Sequence, residues 1–181
     1  MAHIELGNSL FGIPALLNYR PETAGPLRAL ADALLRGPSP LARGERELIA
    51  AYVSSLNECA FCAGSHGASA AVQLPGGGEV VAQVCSNAET APVDDRLKAL
   101  LRIASAVCSD GHEVTSELVD DARSAGADDV QIHDTVLIAA AFAMYNRYVD
   151  GLAAPAPEDP HAYRAMADRL ITGAAYSPPT P

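Results

Sequence analysis

Apolar residues recur along this chain at steps of three and four, the spacing of one helix face, and prolines and glycines mark where each run stops. Leu27, Leu30, Ala31, Leu34 and Leu35 predict a helix over 23–35 that Gly37-Pro38 ends. Ser39-Pro40 opens a second helix carrying Leu41, Leu48, Ile49, Tyr52, Val53 and Leu56, with proline at an early position where its missing N–H costs little. Asn57 is a residue type favoured for accepting free amide protons at a helix start, and predicts a third helix over 59–72. Pro75-Gly76-Gly77-Gly78 stops it, ahead of a short apolar segment at Val80, Val81 and Val84. Leu97, Leu100, Leu101, Ile103, Ala104 and Val107 form a broad stripe over 92–108, closed by Gly111, and a short helix over 115–125 ends at Gly126. Asp128, three residues before Gln131, reads as a capping start for a long helix to about Asp150. Its sequence between Val130 and Val149 is apolar nearly all round, which calls for burial at the domain centre or at an oligomer interface. No strand pattern competes, so the expectation is an all-α protein. It comprises an irregular N-terminal arm over 1–22, a helical domain over 23–152 and a Pro-rich C-terminal arm over 153–181, with one helix over 161–171.

Composition narrows the class. The 181 residues suit one domain, and 49% hydrophobic against 19% charged residues supplies a core and excludes intrinsic disorder. A formal charge of −10 repels phosphate backbones and anionic headgroups, so neither nucleic acid nor a membrane surface is an expected partner. The start, Met1-Ala2-His3-Ile4-Glu5, lacks the basic region and apolar run of a signal peptide, and no window approaches the ~20 apolar residues of a membrane span. The expectation is a soluble, cytoplasmic protein. With no Trp, three Phe and six Tyr, the core falls to Ala, Leu, Val and Ile, small enough to let helices approach closely.

The candidate chemistry lies between Glu47 and His66. Cys59 and Cys62 are one helical turn apart and His66 is one turn further on, so three reactive groups share a face. With Asn57 as the cap, Cys59 sits in the first helical turn, where unpaired amides stabilise a thiolate. His66 can take a proton from Cys62 or steady its anion. Glu47 can orient the imidazole or pass protons, provided its helix folds back on the next. These parts suit a dithiol cycle in which a thiolate attacks a peroxide, forms a sulfenic acid and condenses with the neighbouring thiol. That cycle needs no organic cofactor and no metal. A zinc site is the rival reading, yet Cys59, Cys62 and His66 give three of four ligands and no second pair completes a tetrahedron. Cys108 and His112 are the other candidate cluster, interrupted by Gly111. His3, His133 and His161 have no paired ligand, and Cys85 and Cys108 read as core residues. Asn146 and Arg147, polar on an apolar helix, read as a hydrogen-bond network or subunit contact.

Glu47, eleven residues, Cys59-x-x-Cys62, three residues and His66 resemble the pattern of alkyl hydroperoxidase D within the carboxymuconolactone decarboxylase-like superfamily. The stretch from Val93 to Leu152, with Ala125-Gly126-Ala127-Asp128-Asp129 leading to Asn146-Arg147, resembles the second half of its peroxidase-related members. The resemblance implies that Cys62 attacks the peroxide, that Cys59 is its proton donor and resolving partner, and that Glu47 and His66 form the proton relay. It further implies a helical homo-oligomer, trimer or hexamer, and a dithiol reductant such as a lipoyl-type protein. Alkyl hydroperoxidase D has a second His between the cysteines, where this chain has Phe61. Two other readings stand beside the peroxidase: a redox switch or partner-binding module without turnover, and lactone decarboxylation, which does not require the cysteine pair.

Overall fold

Caps, turns and buried faces divide the chain into helices, and the all-α expectation holds over residues 1–171, the part that the computed structural model describes. In chain order the helices are α1 (Gly12–Tyr19), α2 (Pro21–Arg36), α3 (Arg43–Leu56), α4 (Ala60–Ala71), α5 (Gly77–Ser86), α6 (Asp95–Ser109), α7 (Ser116–Ser124), α8 (Asp129–Gly151) and α9 (Pro160–Ile171). A 3-10 turn at Gly111–Glu113 links α6 to α7. Several starts follow from local chemistry. Asp94 accepts the Leu97 N–H at 2.7 Å to open α6. Asp128 and Gln131 exchange side-chain and backbone hydrogen bonds at 2.8 and 3.0 Å to open α8, a reciprocal cap that satisfies two amides left free by the helix.

Helix α3 lies at the centre, in contact with α2, α4, α5, α6 and α8. Leu48, Ile49 and Val53 on it, Leu100, Leu101 and Ile103 on α6, and Ile138 and Phe142 on α8 are almost wholly enclosed, each contributing about 1.5–3 kcal/mol by leaving water. Arg46 is buried with them, and its guanidinium donates to the carbonyls of Leu34 and Gly37 at 3.0 and 2.9 Å. It thereby satisfies acceptors that the end of α2 leaves open and ties α2 to α3. A second, smaller cluster of Leu16, Cys59, Phe61, Cys62 and Val149, joined by Tyr163 and Met166, encloses the cysteine pair.

Four departures from the expected elements have physical causes. Residues 12–19, within the segment read as an irregular arm, form α1. Its Pro14 sits at the third position, where an N–H would have no partner, and burial of Ala15, Leu16 and Leu17 holds the short helix in place. The glycines after Pro75 lead directly into α5. Asn57 ends α3 instead of starting α4, because Glu58 takes a left-handed backbone, φ 58°, which reverses the chain and makes Cys59 the N-cap of α4. Finally, α9 docks on α4. Its Tyr163 ring covers Gly64, where a Cβ would come within 2.8 Å of the ring. Residues 172–181 of the expected C-terminal arm lie outside the described residues.

The long helix α8 buries Ile138, Phe142, Tyr145, Asn146 and Val149 but leaves Val130, Leu137 and Met144 exposed, at 53, 40 and 42%. These three are seven residues apart and lie on one open stripe. Among the described residues, no helix is long and apolar enough to cross a membrane.

Candidate active site

The turn at 57–59 folds α4 back along α3, so residues nineteen positions apart meet. His66 Nδ1 and Glu47 Oε2 are 2.7 Å apart, both side chains buried. The edge-to-face contact of the His66 ring with Phe142, centroids 4.5 Å apart and planes at 78°, fixes the imidazole from α8. Glu45, Arg46 and Glu47, consecutive in sequence, diverge in role. Glu45 ion-pairs with Arg96, Arg46 ties α2 to α3, and Glu47 reaches inward to the histidine.

Both cysteines are free and buried, Cys59 at 0% and Cys62 at 2% exposure. They interact directly, and that interaction separates their acidities. The Cys59 thiol is held below its ordinary value, first because the Cys62 thiol stabilises its anion and then because the Cys62 backbone N–H does too, against the opposing effect of burial. Cys59 is the N-cap residue of α4 and makes no capping hydrogen bond, so the backbone contribution is the field of the free amides at the helix start. The Cys62 thiol is pushed far up by the neighbouring Cys59 sulfur and by burial. The pair therefore gives up its first proton readily and its second with difficulty. Asn146 lies against Cys62 and Asp150 against Cys59.

A polar network extends from the pair. Asn146 Nδ2 donates to Ser54 Oγ at 3.0 Å, and Asn57 Nδ2 donates to Asn146 Oδ1 at 3.0 Å. The Cys108 thiol donates to Asn57 Oδ1 at 3.2 Å. Asn146 is thus a network member, while Arg147 is exposed and binds the Ala143 carbonyl of its own helix at 2.9 Å. Cys85 and Cys108 are half-buried, with thiol acidities shifted up, chiefly by burial.

A cavity of about 200 Å³ opens onto this centre. It is lined by Cys62, His66, Phe142 and Tyr145 on one side and by residues of α1 and α2, among them Ile13, Leu27 and Arg28, on the other. Cys62 lines the cavity and Cys59 does not. Tyr145, whose hydroxyl donates to the Leu27 carbonyl at 2.7 Å, is pushed up to about 12 by burial. Of the residues singled out from sequence, Glu47, Cys59, Cys62 and His66 come together. His112, His133 and His161 are exposed and lie outside the cavity lining. Among the described residues no group of three or more His, Cys, Asp or Glu is arranged to hold a metal. Phe142, Tyr145, Ser54 and Arg28 belong to the site without a local sequence signal, and Asn57, legible only as a cap, joins its polar network. Only their periodic placement on helix faces marks them.

The sequence pattern of the Carboxymuconolactone decarboxylase family matches residues 21–74, the stretch that holds α2, α3 and α4. The fold and a 28% sequence identity are shared with an alkylhydroperoxidase AhpD core, an uncharacterized peroxidase-related protein from Ralstonia eutropha, at TM-score 0.77 over 86% of this chain and 80% of that one. The chain thus carries the Carboxymuconolactone decarboxylase pattern over three of its helices and is similar in overall fold to an alkylhydroperoxidase core. An uncharacterized peroxidase-related protein from a Silicibacter species is also 28% identical, with TM-score 0.76 over 86% of this chain and 79% of that one. A protein of unknown function from Agrobacterium tumefaciens, 20% identical, has the same fold at TM-score 0.69 over 80% of this chain and 97% of that one. No curated protein matches the chain. Glu47 on α3, and Cys59, Cys62 and His66 at the start of and along α4, all fall within the matched stretch of a fold shared with peroxidase-related proteins.

Proposed function

We propose that the protein is a thiol-dependent hydroperoxidase, with Cys62 as the attacking sulfur, Cys59 as proton acceptor and resolving thiol, and His66 and Glu47 as the proton relay. The observation that carries this reading is the closed end of the cavity, where Cys62 and His66 face the same space and Glu47 backs the histidine at 2.7 Å. Of the two thiols, Cys59 is the one whose anion is favoured, so the first negative charge of the pair forms there. A proton shift from Cys62 to Cys59 moves that charge to the sulfur that lines the cavity. The Cys62 thiolate then attacks the terminal peroxide oxygen, the O–O bond breaks, and the departing alkoxide takes a proton through His66 and leaves as an alcohol. The resulting sulfenic acid is attacked by Cys59, the S–S bond forms, and hydroxide leaves as water with the remaining thiol proton. One hydroperoxide and two thiols thus give one alcohol, one water and one disulfide. A dithiol protein, of lipoyl type by the family resemblance, would return the two electrons.

The open stripe of Val130, Leu137 and Met144 on α8 supports a homo-oligomer, because three large apolar side chains in register are a poor surface for water. A redox switch without turnover has one observation in its favour. Phe61, 4% exposed and packed at 6.1 Å centroid distance on Tyr163, gives the relay no second polar member beside the cysteines. Stoichiometric hydroperoxide should consume two thiols per chain, and Cys62→Ser should abolish that consumption. Steady-state hydroperoxide loss with an added dithiol reads turnover, and a protein that keeps both thiols in the presence of hydroperoxide overturns the proposal.

A further inference from the structure

One group in the cavity has no part in the chemistry at its closed end. Arg28, on α2, is half-buried and is the sole arginine, lysine or carboxylate among the lining residues, whose other members are apolar apart from Cys62, His66 and the Tyr145 hydroxyl. Among the described residues every other arginine donates to a carboxylate or to a backbone carbonyl. Arg28 donates to none of them. A guanidinium carries five donors in a planar fork matched to a carboxylate, and here the fork borders the cavity with none of them given to a carboxylate or carbonyl of the described residues. The chain as a whole, at −10, repels anions, so an anionic ligand gains access to this centre only where a local cation outweighs that field.

We propose that the substrate is a short organic hydroperoxide that also carries a carboxylate, the carboxylate held by Arg28 and the hydroperoxide presented to Cys62 and His66. This rests on the hydroperoxidase reading and deepens it by naming the substrate class. A volume of about 200 Å³, with each water-sized group taking roughly 30 Å³, admits roughly six to eight non-hydrogen atoms. That accommodates a short-chain acid. The reaction leaves the carboxylate untouched: hydroperoxy acid and two thiols give hydroxy acid, water and disulfide. Arg28 therefore holds ground state and transition state alike, and its loss should appear in KM far more than in kcat.

The test compares a tertiary hydroperoxide of a short-chain carboxylic acid with its uncharged carboxamide, which has the same reacting group and nearly the same shape. In the wild-type protein the acid should be favoured in kcat/KM by about tenfold or more, the usual scale for one charge-assisted contact. Arg28→Gln should collapse that ratio towards unity through KM, Arg28→Lys should restore part of it, and added salt should weaken the acid selectively. Equal rates for acid and amide in the wild type, or a ratio that Arg28→Gln leaves intact, overturn the inference. Calorimetric binding of hexanoate to the reduced protein supplies a readout independent of redox chemistry. If neither hydroperoxide oxidises the thiols, the hydroperoxidase reading fails. In that case hexanoate affinity lost in Arg28→Gln still upholds the carboxylate contact, and affinity unchanged removes it.

Discussion

Replacing Glu47 by Gln keeps the shape of the side chain and removes its charge, so it separates packing from proton handling. The wild-type contact is short, 2.7 Å, with side chains 4 and 10% exposed, so water neither screens it nor takes its place. A hydrogen bond to a charged group contributes about 1.5–3 kcal/mol net and a neutral one about 0.5–1.5. The substitution should therefore cost roughly 1–1.5 kcal/mol, a fall of about 2–6 °C in Tm for a domain of this size. The kinetic effect should be larger. Gln can still hold the imidazole but cannot take its proton, and a positioned acid–base group contributes about 10²–10⁴-fold.

Single-turnover loss of free thiols after mixing with a hydroperoxide measures that step without any reductant. The expected result is about a hundredfold slower oxidation with the fold intact, the lower half of the acid–base range. Glu45→Gln is the control. It disturbs the neighbouring ion pair with Arg96 and should lower Tm without a matching loss of rate. Should Glu47→Gln oxidise within about twofold of the wild type, a change below ~0.5 kcal/mol in the barrier, Glu47 is a buried structural acid and the relay argument fails.

Alkaline stability tests the burial of the thiols. Cys62, Cys85 and Cys108 are all shifted above the ordinary value near 9, and Tyr145 is pushed from 10 to about 12. Above pH ~9 the unfolded chain then loses protons that the folded chain retains, so stability falls with rising pH, by at most about 1.4 kcal/mol per pH unit for each such group. Tm measured across this range should drop, and a flat profile would contradict the assigned burial. Cys59 acts in the opposite sense below that range, adding stability as pH rises from its lowered value towards 9. The Cys59→Ser variant should lose that contribution in the same melts. Gly64→Ala places a Cβ 2.8–3.0 Å from the Tyr163 ring, and the overpacking, ~1–3 kcal/mol, should loosen α9 as read by faster amide exchange there. Tyr163→Ala in the same chain should relieve it. Leu137→Asp on the open face of α8 should yield smaller particles in native mass spectrometry, and an unchanged mass would exclude that face as a subunit contact.

How far the sequence reaches is visible in particular residues. Proline and glycine end helices through local sterics, so α2, α6, α7 and α8 are legible to within a few residues, and Asp128 with Gln131 marks the start of α8 because capping is a contact between near neighbours. Helix α1 escapes for the opposite reason. Its eight residues are too few to be stable alone, and what holds them is the burial of Leu16 and Leu17 against distant helices. A Cβ on Gly12 would fall within the Phe61 ring, a contact across nearly fifty positions that no local pattern encodes. Asn57 suits either end of a helix, and the choice was made by Glu58 adopting a left-handed backbone. At the site, the spacing of Glu47, Cys59, Cys62 and His66 is readable because two adjacent helices joined by a short turn must meet. Arg28, Phe142, Tyr145 and Asn146 come from helices whose approach is set by the whole core.

The division between the two sulfurs follows from the same geometry. Cys59 gains acidity first from the Cys62 thiol and then from the helix start, yet it lies at the turn between α3 and α4, where Leu16, Val149 and Phe61 pack around it and it does not line the cavity. One helical turn on, Cys62 reaches the cavity, but the neighbouring Cys59 sulfur and then burial push its thiol up. Neither thiol alone combines acidity with access. In the proposed cycle their contact would remove the conflict, since a proton passing over one short step would transfer the charge from the sealed sulfur to the open one, and the same proximity would later let the disulfide close. A site built this way should lose hydroperoxide reactivity on removal of either cysteine, whereas a site with one self-sufficient nucleophile would lose it on removal of only one.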